Sequence, residues 1–425
     1  MKVAETKAKR SFSDWLESTM MPPIIKLGGQ RHLVAVRDGF MGVIAFLIVG
    51  AFFLIIAFPP VQSWAKAVEP YIGTILIPFN LTFAIMSVYV SFGVAYHLAR
   101  SYKDIDPLMA GITSTATFLI LATPGKLDGT WLGTKGLFVA ILVGLISVEI
   151  YRAIVKSGFV IKMPEGTPPA VTNAFIALVP QAVLVISAWL IAGVWGIILP
   201  EVISKATAGF VAAADNVFVF VGAKILAQLQ WMVGIHEMTI LGATYDPYMT
   251  ANTMANAEAV AAGLPMPFIT TNPLWVSFAH AASVTPLVIV MLLFAKSKRL
   301  KMISRLAIIP AIFCISEPTI FGVPIVFNPI MWIPFLLAGI VSMTIGWLAT
   351  YFGLMSRMFI YPPWTLPAPI YAFVASGGDW RAVVVQLIAY FILGALIYYP
   401  FFKIYDKRIL QEELTLEKEK EKVIE

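Results

Sequence analysis

Ser316-Glu317-Pro318-Thr-Ile-Phe-Gly322-Val-Pro324-Ile-Val-Phe-Asn328-Pro329 sets one carboxylate and three prolines in an otherwise apolar stretch. Each proline inside a helix removes a hydrogen bond and clashes with the preceding turn, so a continuous helix is not expected through this segment or on to Pro334. Glu317 stands directly before Pro318, which biases its backbone away from the helical region. If the segment lies at membrane depth, its broken backbone survives only when buried in protein or lining a water-filled cavity. Interrupted helices of that kind are where membrane proteins build polar binding sites.

The rest of the chain places the segment in a bilayer. Of 425 residues, 59% are hydrophobic and 13% are charged, about half the charge of an ordinary soluble domain. Apolar runs of about 20 residues can cross the hydrocarbon core as helices. Such runs are Gly39–Phe58, Ile77–Leu98, Pro107–Ala122, Lys135–Val155, Asn173–Leu199, Leu274–Phe294, Ile330–Thr350 and Ala382–Phe402. Basic residues cluster before the first run (Lys26, Arg31, Arg37), after the second (Arg100, Lys103), after the fourth (Arg152, Lys156, Lys162) and after the sixth (Lys296 to Arg305). Pro59–Pro70 and Leu127–Thr134 carry few. This alternation predicts an even number of crossings with both termini cytoplasmic. It also accounts for the net charge of +6 without nucleic acid as a partner, since no basic stripe or interleaved aromatic motif occurs.

Two further stretches are amphipathic. Phe12, Trp15, Leu16, Thr19 and Met20 share one helical face, which predicts an interfacial helix before the first run. Glu201–Gln230 mixes Glu201, Lys205, Asp215 and Lys224 with Val, Ala and Phe, as either an interfacial segment or helices packed against protein. The end of the chain, Asp406 to Glu425, is rich in Glu and Lys and reads as a fraying cytoplasmic helix. No secretory signal is expected, because the first 38 residues are polar and the run after them is long. The single cysteine, Cys314, reads as a small buried hydrophobe.

Ionisable groups inside spans are costly and tend to mark sites. Glu317 is one. His236 and Glu237, in Trp231-Met-Val-Gly-Ile-His236-Glu237, are two more. Position 240 is Ile, so the second histidine of a zinc-protease helix is missing, and no metal or cofactor is expected. No phosphate-binding Gly-rich loop with Lys and Ser/Thr occurs, which argues against an ATP-driven pump. His32, His97 and His280 are scattered. Trp231 and Trp364 each adjoin a helix break. Flat rings suit the apolar faces of sugars, while His, Glu and Asn meet hydroxyl edges. The competing reading is a proton relay through Glu317 and His236, as in a proton-coupled secondary transporter.

At these residues the chain resembles the membrane component IIC of the bacterial phosphotransferase system, lactose/cellobiose/diacetylchitobiose family. The likeness lies in Gln30–Gly39, in Gly234-Ile-His236, in Glu317–Pro329, in Pro363-Trp364-Thr365 and in Ser376–Arg381. Family members often have Gly where Glu237 stands and Asn where Ser316 stands, which bears on the sugar more than on the mechanism. The resemblance implies an all-α integral membrane protein of about ten transmembrane helices, with re-entrant segments and interfacial amphipathic helices. It implies an N-terminal segment (1–38), a dimerisation domain (39–200), a sugar-binding transport domain (201–402) that shifts as a rigid body, and a charged tail (403–425). The expected partners are a disaccharide, a phosphorylated IIB protein bearing the donor cysteine, a second copy of the chain and the bacterial cell membrane. Glu317 and His236 are the expected catalytic pair, and Trp231, Glu237, Asn328 and Trp364 the expected sugar contacts.

Overall fold

The computed structural model describes residues 26, 29–59, 62–82, 84–127, 129–237, 240–323, 325–326 and 328–424. The Phe12–Met20 helix lies outside them, as do Pro324 and the side chain of His280. Among the described residues every regular element is helical. The N-terminal part comprises α1 (Arg31–Met41), α2 (Ile44–Ala57), a run of short helices over 62–82, α3 (Met86–Tyr102), α4 (Pro107–Ala122), α5 (Leu137–Ser157) and α6 (Pro169–Trp189). Next come α7 (Leu199–Ala214), α8 (Val217–Met232), α9 (Asp246–Ala261), α10 (Asn272–Phe294) and α11 (Lys298–Ile312). The chain ends in α12 (Glu317–Gly322), α13 (Pro329–Tyr351), α14 (Ala368–Ala375), α15 (Trp380–Leu387) and α16 (Ala395–Ile424).

Among the described residues, six helical stretches are long and apolar enough to cross a membrane: Ser63–Tyr102, Thr134–Ser157, Pro169–Val194, Asn272–Phe294, Pro329–Tyr351 and Trp380–Glu419. Helices α4 and α8 are shorter apolar helices. Phe218, Leu293, Leu306 and Leu396 lie on the outer surface, where water would oppose them and lipid does not. The expected first span, Gly39–Phe58, is instead two helices that meet at Gly42 and Val43. Hydropathy averages over such a break and does not register it. Glu201–Gln230 resolves into α7 and α8, joined where Asn216 caps α8 by accepting from the backbone N–H groups of Phe218 and Val219. Ser316–Pro334 yields one six-residue helix, a break and the start of α13.

Close packing of small residues joins α1, α3 and α5. A Cβ on Gly39 would sit 2.7 Å from the backbone nitrogen of Val94, so glycine sets how near α1 and α3 approach. The second half of the chain packs around Phe278, Leu287, Met331 and Phe335, all fully buried. Each such side chain contributes about 1.5–3 kcal/mol where water is the alternative, and contact dispersion where lipid is.

The tail departs from expectation. Rather than fraying, its first turns dock on α11. Asp406, nearly fully buried, accepts hydrogen bonds from the backbone N–H groups of Lys296 at 2.9 Å and Ser297 at 3.0 Å. Glu413 accepts from those of Lys298 and Arg299, at 3.0 and 2.7 Å. Free N–H groups at a helix start need acceptors. Here Lys298, Arg299 and Lys301 also stand at the positive end of the helix dipole, and the tail carboxylates offset that mismatch. Asp406→Ala strips buried amides of their acceptor and is expected to cost about 1–3 kcal/mol. Glu417→Ala, which removes an exposed pair with Lys298, is expected to change stability by under about 1 kcal/mol. Thermal unfolding in detergent compares the two; equal midpoints would mean that the tail does not clip α11.

Candidate functional site

Two helices end by the same device and deliver the candidate side chains His236 and Glu317. At the end of α8 the chain turns at Gly234, φ +79°, with the Ile235 N–H bonded to the Gln230 carbonyl at 2.9 Å. That left-handed stop satisfies carbonyls at the helix end and folds His236 back over Trp231, their rings 4.7 Å apart. At the end of α11 the left-handed residue is Cys314, φ +63°, with the Ile315 N–H on the Pro310 carbonyl at 2.9 Å. Cys314 is buried, as expected, but it also occupies a backbone region that normally favours glycine. Three residues on, Glu317 begins α12, where a carboxylate suits the positive end of the helix.

The two stops bring His236 Nε2 to 4.0 Å from Glu317 Oε1, and the two side chains are 51% and 46% exposed. This is longer than a hydrogen bond. One hydroxyl oxygen about 2.8 Å from each atom would see them at an angle of about 90°. Both groups open onto a cavity of about 550 Å³ lined also by Trp231, Glu237, Asp246, Asn272, Trp275, Tyr361 and Trp364. That is in the range of sites for drug-sized ligands, about 300–1,000 Å³. Met41 and Ala45, from α1 and α2, close one side of it. Trp231 is buried against Phe321, while Trp364 is half exposed at the rim. The structure thus brings together Trp231, His236, Glu237, Glu317 and Trp364. Asn328 is not among the lining residues. It caps α13, its side chain accepting from the Ile330 N–H at 3.2 Å.

Glu237 is nearly fully buried, and so is Lys224 on α8, whose Nζ lies 3.8 Å from its Oε2. Lys224 Nζ also donates to the Ala279 carbonyl at 3.1 Å. Sequence reading missed Lys224, Asp246, Asn272, Trp275 and Tyr361. Lys224 did carry a signal, an ammonium within an apolar helical run, but its partner is fixed only by tertiary packing. Among the described residues no group of three metal-ligating side chains forms.

Residues 37–339 match the family model "Phosphotransferase system, EIIC". The chain is 36% identical to the PTS system cellobiose-specific EIIC component of Geobacillus stearothermophilus, over 95% of this chain and 96% of that one. It is 35% identical to the lichenan permease IIC component of Bacillus subtilis (strain 168), over 95% of both chains. The crystal structure of the transporter ChbC, the IIC component from the N,N'-diacetylchitobiose-specific phosphotransferase system, superposes with a TM-score of 0.87 at 35% identity, covering 94% of this chain and 99% of that one.

Removing the ammonium that faces a buried carboxylate is expensive. Lys224→Met is expected to lower stability by about 3–5 kcal/mol, and adding Glu237→Gln to recover at least half of it. A double-mutant cycle on unfolding midpoints measures the coupling; strictly additive effects would show that the two groups do not interact.

Proposed function

The chain belongs to the phosphotransferase system EIIC family, and on that footing we propose that it moves a β-linked disaccharide across the bacterial cell membrane and presents it to a phosphorylated IIB protein. The permease is a multi-pass membrane protein of disaccharide uptake. What supports the detailed mechanism is one juxtaposition: His236 and Glu317 face each other, 4.0 Å apart, over an aromatic-walled cavity.

The sugar lies with an apolar ring face on Trp231 and Trp364, and one hydroxyl sits between His236 and Glu317. Phosphoryl transfer asks the protein mainly for positioning and charge stabilisation. Glu317 takes the hydroxyl proton as the oxygen attacks phosphorus, and His236 orients the oxygen. The new P–O bond forms as the P–S bond to the cysteine of IIB breaks, and the thiolate leaves with that protein. Cys314 does not serve as the carrier, because it is buried and its Sγ contacts the Leu366 carbonyl at 3.4 Å. The added charge then holds the product in the cytoplasm. Residues 39–200 form the contact between two copies, and residues 201–402 carry the sugar as one moving body. Both termini lie on the cytoplasmic side, in keeping with the docking of the tail on the lysine-rich start of α11.

Glu317→Gln keeps the shape and loses the base. It is expected to retain disaccharide binding within about tenfold and to lose sugar phosphate formation with phospho-IIB. Normal sugar phosphate yield from this variant would remove Glu317 from the reaction, and uptake that needs no IIB and collapses with a protonophore would favour the proton-relay mechanism.

Trp231→Ala and Trp364→Ala are each expected to weaken binding by about 1–3 kcal/mol, the scale of a lost aromatic contact. Calorimetric titration of the purified variants checks this, and parental affinity in both would dismiss the aromatic platform.

A further inference from the structure

The cavity has two polar ends that differ in exposure. At the mouth are the half-exposed His236, Glu317 and Trp364. At the inner end Glu237, Asn272, Trp275 and Leu241 are all at least nine-tenths buried. Of the two inner carboxylates, Glu237 faces Lys224. Asp246, the first residue of α9, has no cation within 4 Å among the described residues and accepts a hydrogen bond from the side-chain amide of Asn272. Asn272 is itself fixed, at the first position of α10, with its backbone N–H on Thr253 Oγ1 at 3.1 Å. Its own Oδ1 is buried with no hydrogen-bond partner among the described residues.

A carboxylate accepts about four hydrogen bonds, and leaving them unmade in apolar surroundings is costly. Asp246 lines the cavity, so the donors that complete its shell come from what the cavity holds. Adjacent hydroxyls on a sugar ring are such donors. We infer that Asp246 reads the second ring of the disaccharide, accepting its hydroxyls at the inner end of the cavity, with Asn272 as its positioning residue. This rests on the reading that His236 and Glu317 hold the first ring. It makes Asp246 a determinant of length, since a site built to bond hydroxyls discriminates strongly against ligands that lack them.

The test uses the purified full chain in detergent and isothermal titration. The probe is whichever of cellobiose, lactose and diacetylchitobiose the parent binds most tightly, alongside the methyl glycoside of its first ring. Asp246→Asn is expected to weaken the disaccharide at least tenfold and to leave the methyl glycoside within twofold of the parent. Asn272→Leu is expected to act in the same direction, and to add nothing in the Asp246→Asn background. Should Asp246→Asn fail to fold, Asn272→Leu carries the same comparison. Unchanged disaccharide affinity in the variants overturns the inner-ring assignment, as does equal weakening of both ligands. Trp231→Ala, run beside them, separates the two ideas, because parental affinity for both ligands there overturns the outer site instead. A parent that binds none of the three disaccharides overturns both.

Discussion

The rest of the structure depends on the need of every backbone N–H and C=O at membrane depth to find a partner inside the protein. A helix can break there only if its loose ends are bonded locally. Here α8 and α11 stop in the same way, with a left-handed residue at Gly234 and at Cys314 that folds the next N–H back onto the helix. Each stop is followed by four residues of non-helical chain, and the candidate site residues His236 and Glu317 stand at or just beyond the end of those stretches. His236 and Glu317 meet because two helices end facing one another, and Trp231 lies under the imidazole because it is in the last turn of α8.

The same constraint sorts the charged groups. Carboxylates in the site are either committed or open. Glu237 is turned to Lys224, and Glu317 sits at the start of α12 with half its surface exposed. Asp246 falls between, bonded on one side by Asn272 and facing the cavity on the other. At the start of α11 the logic repeats with opposite sign, as Asp406 and Glu413 bond the first amides of a helix that begins with lysine and arginine. The tail thereby braces the helix whose far end presents Glu317.

Much of this was legible in the residues. Glu317 stood out because a carboxylate among prolines is expensive without a purpose, and His236 because an imidazole beside a glycine break has the same character; the structure places both on one cavity. Trp231 and Trp364 followed from their positions at breaks. Less legible was anything decided across the chain. Lys224 and Glu237 pair over a short sequence distance, but only a turned helix end makes them meet. Asp246 and Asn272 stand at the starts of two separate helices, and only the fold brings their side chains together. The break at Gly42 was invisible because hydropathy measures the solvent a segment prefers and not where its hydrogen bonds stop. Asn328, expected as a sugar contact from the family resemblance, accepts from the Ile330 N–H at the first turn of α13 and is not among the residues lining the cavity. The docked tail was missed for a related reason: Asp406 and Glu413 are soluble in composition, and only the lysine-rich start of α11 gives them somewhere to bind.

The central claim is that one sugar hydroxyl lies between His236 and Glu317, ready for the phosphoryl group. A structure determined with bound disaccharide tests it most directly. The account predicts a single hydroxyl oxygen within hydrogen-bond distance of both His236 Nε2 and a Glu317 carboxylate oxygen, with a ring face on Trp231. A disaccharide bound in the cavity with no hydroxyl reaching Glu317 would contradict it.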